Sequence, residues 1–169
     1  MTTRYVAVVG PSAASDQQVA TASALGAALA RRGHIVVCGG GGGVMEAASL
    51  GARSQGGLVV GLLPGLDRGE GNPHLTVAIP TGLGELRNGL VVRAADAVVA
   101  VGGSWGTLSE VALAVRTGVP VVAIGMWRVH DEAAAQATGA EHPGEPAGIR
   151  HVADVAAALA VLDEVFARP

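Results

Sequence analysis

The 169-residue sequence predicts one α/β domain, 1–169, built on a single doubly wound, mainly parallel sheet. Three observations carry that expectation. Short β-branched runs alternate with longer amphipathic stretches, the order that parallel crossover units require. Half of the residues are hydrophobic but only 2% are aromatic, so the core must be built from Val, Leu, Ala and Ile, as in sheets covered by helices on both faces. Glycine clusters follow two of the apolar runs, where such a sheet places its ligand loops. A chain of this length buries about 70% of the surface it exposes when unfolded, enough for a core of its own.

The elements follow in order. "YVAVVG" at 5–10 reads as the first strand and 16–32 as the first helix; "HIVVCG" at 34–39 and a helix at 44–55 come next. "LVVGLLP" at 58–64 is the third strand, and a Gly/Asp/Pro-rich loop leads to "TVAIP" at 76–80. A helix near 84–95, a strand "AVVAVGG" at 97–103, a helix at 107–117, a strand "VPVVAIG" at 119–125 and a last helix at 152–167 complete the pattern. The stretch 127–149 has no clear period and reads as a mobile connection. The 84–95 helix carries Leu86, Leu90, Val91, Val92, Ala94 and Ala95, more apolar surface than one sheet-facing stripe needs, which predicts a homo-oligomer, a dimer or tetramer.

Charge and composition exclude several functions. A net charge of −3 offers no attraction for a polyanion, so a small molecule or a second copy of the chain is the expected partner rather than nucleic acid. Every apolar run is broken well short of the roughly 20 residues a membrane span needs, and "MTTRYVAVVG" has no charged-then-apolar leader. The expected location is the cytoplasm, away from membranes. All 11 residues counted as Lys+Arg are arginine, which closes any chemistry that needs a lysine, including a pyridoxal-phosphate Schiff base. The five histidines have no metal-ligand spacing, so no metal site is expected, and the single Cys38 reads as a small buried hydrophobe.

Two loops attract the functional reading. "CGGGGGVME" at 38–46 and "GGSWGTLSE" at 102–110 each place flexible backbone before a helix, whose N–H groups and positive end favour an anion. The phosphate-binding candidates are Gly40, Gly41, Gly42 and Gly43 in the first loop, and Gly103, Ser104, Trp105, Gly106 and Thr107 in the second. Ser12, Glu46 and Asn88 are further candidates. The G-x-G-x-x-G fingerprint is absent and the second strand ends in Cys38 where an acid would hold a ribose, so a dinucleotide is disfavoured.

"CGGGGGVMEAASLGA", "GLLPG", "IPTGLGELRN" and "DAVVAVGGSWGTLSE" together resemble the LOG-like (SLOG) superfamily of Rossmann-type nucleotide-binding proteins, most closely the branch of molybdenum-cofactor carriers. The resemblance runs from the first strand to about 125 and returns at "GIRHV". It implies a Rossmann-like fold and, as a non-covalent ligand, molybdenum cofactor or a nucleoside monophosphate. The LOG enzymes of the superfamily are phosphoribohydrolases with a Pro-Gly-Gly-x-Gly-Thr-x-x-Glu loop and an upstream Arg-Lys pair. Gly103, Gly106, Thr107, Glu110 and Arg87 match that pattern, whereas Gly102, Ser104, Ser109 and Asn88 depart from it, and the carrier branch shares the Arg-Asn and Gly-Thr-Leu-Ser-Glu forms. The implied function is a carrier of the phosphorylated pterin; the alternatives are a phosphoribohydrolase, with Arg87 and Glu110 as its catalytic residues, or a nucleotide sensor without turnover. The label lysine decarboxylase, also given to superfamily members, does not suit a chain without lysine.

The residues leave two roles open for Glu110. It shares a helix face with Thr107 and would stabilise a ribosyl cation, or it closes a capping box with Thr107 as N-cap. Arg87 offers a fork of donors to a phosphate or a purine edge, and Glu46 either caps the helix after the glycine run or touches the ligand.

Overall fold

The computed structural model describes residues 2–128 and 148–167. Seven parallel strands form one sheet in the order β4-β3-β2-β1-β5-β6-β7: β1 Tyr5–Val9, β2 Ile35–Cys38, β3 Val59–Leu63, β4 Val77–Pro80, β5 Ala97–Val101, β6 Val121–Ile124 and β7 Ile149–Val152. Five helices among the described residues flank it: α1 Asp16–Arg31, α2 Val44–Ser54, α3 Asn88–Arg93, α4 Trp105–Arg116 and α5 Val155–Phe166. The expected α/β, doubly wound, Rossmann-like sheet is present and is parallel throughout.

Alternation along the central strands divides the core in two. Val6, Val8, Val36, Cys38, Val99 and Val101 pack on one face beneath α1, α2 and α5. Ala7, Val9, Val37, Val98 and Ala100 face α3 and α4 on the other. Both sets are buried, which explains why these strands read as unbroken apolar runs. Small residues also set the fit of α1 on α2: a side chain at Gly26 would press on the Ala48 carbonyl, and one at Gly51 on the Ser23 carbonyl.

Caps define where the helices begin. Ser15 and Gln18 form a reciprocal box at α1, with Gln18 N–H donating to Ser15 Oγ at 3.3 Å and Ser15 N–H to Gln18 Oε1 at 2.9 Å. Asp154 caps α5 by accepting from Ala157 N–H at 2.9 Å. At α4 the cap is Ser104, whose Oγ accepts from Thr107 N–H at 3.2 Å. The helix therefore starts at Trp105 rather than 107, and Thr107 lies inside its first turn.

Two further expectations are corrected. The helix expected near 84–95 is a tight 3-10 turn, Gly84–Arg87, running into the short α3. Gly82 and Gly84, both at positive φ, lead into that turn, and Leu86 N–H closes it on the Leu83 carbonyl at 3.1 Å. The segment 149–152, partly assigned to the last helix, is the seventh strand. Arg150 and His151 hide its period, and as an edge strand it needs burial at little more than Ile149. Most of the stretch read as a mobile connection lies outside the described residues.

Candidate functional site

The chain leaves β1 toward β2 on one side, while β5 starts the opposite half of the sheet, so a crevice opens at the carboxyl ends of these neighbours. Gly10 makes this approach close: a side chain there would meet the Val101 carbonyl at 2.5 Å and Val44 Cγ1 at 2.6 Å. The glycine run lies beside the Gly10–Ser12 turn. Val44 N–H donates to the Pro11 carbonyl at 3.1 Å, and Gly43, at φ 61°, leaves no room for a side chain against the Pro11 and Ser12 carbonyls.

Asn72, in the loop before β4, pins the run from the other side. Its N–H donates to the Gly40 carbonyl at 2.8 Å and its Nδ2 to the Gly41 carbonyl at 3.1 Å. Cys38 is part of the same support: Gly40 N–H donates to its Sγ at 3.4 Å and Ser49 Oγ lies 3.7 Å away. Burial pushes the Cys38 thiol up from its ordinary range, against the pull of those two hydrogen bonds, so it is a buried packing group and a poor nucleophile.

A cleft of about 220 Å³ occupies the crevice. Of the sequence candidates, Ser12, Arg87, Asn88, Ser104, Gly106, Thr107 and Glu110 line it together, and Glu85 and Met45 join them. The first turns of α2 and α4 both border this space, so two positive helix ends face it. Gly40, Gly41, Gly42 and Gly43 are not among the residues that line it. Glu46 sits in the first turn of α2, half-buried beside Gly42, and makes no hydrogen bond among the described residues. Gly103 lies under the Trp127 indole. Trp105 is 79% exposed and meets Trp127 edge to face at 5.5 Å.

Glu110 and Arg87 are the charged centre of the cleft. Their side chains are only 8% and 13% exposed, and Arg87 Nη1 stands 3.6 Å from Glu110 Oε1. The guanidinium lies over Gly39, where a side chain would collide with it. That glycine was missed as a site residue, because nothing in a glycine run tells which member lies beneath an arginine about 50 positions on. Arg87 Nε is buried with no hydrogen-bond partner among the described residues. Burial raises the Glu110 carboxyl to about 7, although Arg87 acts to lower it. The capping-box role for Glu110 is not realised, since Ser104 caps α4.

Neighbouring polar groups are largely spent on one another. Arg87 Nη1 donates to Asn88 Oδ1 at 2.5 Å, Asn88 Nδ2 to Ser109 Oγ at 3.0 Å, and Ser109 Oγ to the Gly106 carbonyl at 2.7 Å. Thr107 is 1% exposed, and its hydroxyl lies 2.9 Å from Ser104 Oγ. Among the described residues no three His, Cys, Asp or Glu side chains converge as metal ligands, and no helix is long and apolar enough to cross a membrane.

A family model described as the SLOG cluster4 family matches residues 3–157. The molybdenum cofactor binding protein of the phototrophic bacterium Rippkaea orientalis superposes with a TM-score of 0.83 at 30% identity, over 98% of this chain and 99% of that one. The molybdenum cofactor carrier protein of Chlamydomonas reinhardtii does so with a TM-score of 0.83 at 33% identity, over 99% and 100%. An uncharacterized protein of Archaeoglobus fulgidus is 38% identical over 119 residues, 70% of this chain and 78% of its own length.

Proposed function

The chain belongs to the SLOG cluster4 family, and we propose that it binds molybdenum cofactor, a phosphorylated pterin, as a carrier-type protein. The observation that carries this reading is Arg87: a nearly buried guanidinium in the cleft, its buried Nε–H unpartnered among the described residues, beside two helix N-termini. Such a site suits a phosphate, for which a charge-assisted hydrogen bond contributes about 1.5–3 kcal/mol. The likeness to molybdenum cofactor proteins over nearly the full chain supports the choice of pterin. Asn88 and Ser109 add to it. These two departures from the hydrolase pattern are hydrogen-bonded to each other, so neither is free to serve a reacting ribose.

Molybdenum cofactor is cargo in this reading, and the chain's part is to hold it. The phosphate would lie against Arg87 and the first turns of α2 and α4. Gly39 gives the guanidinium its place, and Asn72 holds the glycine run in shape.

The second reading, a nucleoside 5′-monophosphate phosphoribohydrolase, is favoured by one observation. Glu110 in this cleft titrates near neutrality, as an acid–base group would. One experiment separates the two. The purified protein is mixed with molybdenum cofactor, and bound molybdenum and pterin are measured after gel filtration; in parallel it is incubated with a panel of nucleoside monophosphates and free base is measured. About one cofactor per site, weakened at least tenfold by Arg87→Ala, and no free base are expected. Base release abolished by Glu110→Gln, without cofactor retention, selects the hydrolase.

A further inference from the structure

Resting on that reading of the cleft as an anion site, we propose that Glu110 is its specificity-determining group: an anion enters beside Arg87 only when Glu110 carries a proton, so anion and proton bind together. The geometry sets up the competition. Among the described residues Glu110 has one cation in reach, Arg87 at 3.6 Å, and both side chains are nearly buried in the wall of the same cleft. An anion taking the guanidinium removes the partner that offsets the glutamate charge and places a second negative charge next to it. Two like charges repel more strongly beside nearly buried side chains than in bulk water.

The surroundings leave the proton as the remedy. Glu85, exposed at the edge of the lining, is a further acid there. Glu46, half-buried in the first turn of α2, is another acid on that side of the glycine run. Cys38 of β2 is a buried thiol, electrostatically coupled to both Arg87 and Glu110. Asn88, Ser104, Thr107 and Ser12 are neutral. No cation other than Arg87 lines the cleft among the described residues. Burial already holds the glutamate's titration near pH 7, so the proton is available at neutral pH. By linkage the effect is reciprocal: protonation strengthens anion binding by the same factor as the anion strengthens protonation.

The probe is sulfate, a dianion that does not itself titrate near neutrality. Its affinity for the wild-type protein, measured by NMR titration between pH 5.5 and 8.5, is expected to be flat below the Glu110 midpoint and to fall about tenfold per pH unit above it. Glu110→Gln is expected to hold the low-pH affinity across the range. In the wild-type protein alone, saturating sulfate is expected to raise the ¹³C-carboxyl titration midpoint of Glu110 by one unit or more, a readout that does not depend on the variant folding. No sulfate binding at pH 6, a flat wild-type profile, or the same slope in Glu110→Gln overturns the proposal. Cofactor retention with a flat sulfate profile removes the linkage and leaves the carrier reading. A proton-linked sulfate site without cofactor retention does the reverse.

Discussion

Glu110 shows how one residue's surroundings become a property of the whole protein. Its carboxyl titrates at about 7 in the folded chain against 4.5 in its ordinary state, with burial as the main cause. Between those values the folded state holds a proton that the unfolded chain has released, so this residue's contribution to stability falls as pH rises from about 4.5 to 7. Above that window a buried charge remains, which Arg87 alone among the described residues offsets. The expected consequence is a gain in thermal stability for Glu110→Gln relative to wild type at pH 8, and little difference at pH 4.5. Paired melting curves at the two pH values check it, and the gain is at most on the order of 3 kcal/mol. Equal melting points at pH 8 would show that the charged form is well accommodated.

At the scale of elements, close packing of α1 on α2 holds the glycine run against the Gly10–Ser12 turn. Gly26 faces the Ala48 carbonyl with no room for a methyl group, and the obstacle is backbone, which cannot rotate away. Gly26→Ala is therefore expected to lose roughly 1–3 kcal/mol by overpacking, despite alanine's better helix propensity. Gly33→Ala is the contrast: it sits after α1 at φ 74° with open space around it, so its cost comes from backbone strain alone, about 1–2 kcal/mol. Urea denaturation of the two variants checks the first value. A neutral Gly26→Ala would mean that the two helices separate easily. The Ser104 cap belongs to this scale too. The sequence reading puts the N-cap at Thr107, whereas the structure puts it at Ser104, because of where β5 stops: Gly102, at φ 69°, turns the chain so that Ser104 meets the helix start.

At the scale of the molecule, an apolar strip is left without cover among the described residues. Val77 and Ile79 of β4 stand in register with Val60 and Leu62 and so point to the α3 and α4 side, yet both are exposed. Leu66 and Leu86, at 85% and 81% exposure, and Leu90 are further exposed apolar side chains. Val91 and Val92 are buried, so the 84–95 segment does present two apolar faces, one of them outward. Self-association through the outward face is the expected outcome: a dimer or tetramer by sedimentation at micromolar concentration, dissociated by Leu86→Glu with Leu90→Glu. A stable specific dimer would bury about 800 Å² on each partner. A wild-type monomer would remove this expectation.

The sequence by itself determined the fold class, the first six strands in their order, and both glycine loops, because these depend on local signals: residue period, β-branching and glycine at strand ends. It also contained Arg87 and Glu110 as a matched pair in the family pattern. Tertiary structure alone decided that Arg87 lies over Gly39, that Asn88 is consumed by Ser109, and that Asn72 braces the glycine run. Each of these joins residues from separate elements, and no local period encodes which elements become neighbours. The seventh strand was hidden for a related reason, since an edge strand is specified by its partner β6 more than by its own four residues. The charge state of Glu110 was decided the same way: burial on a helix between two loops sets it, and burial is a property of the packed molecule.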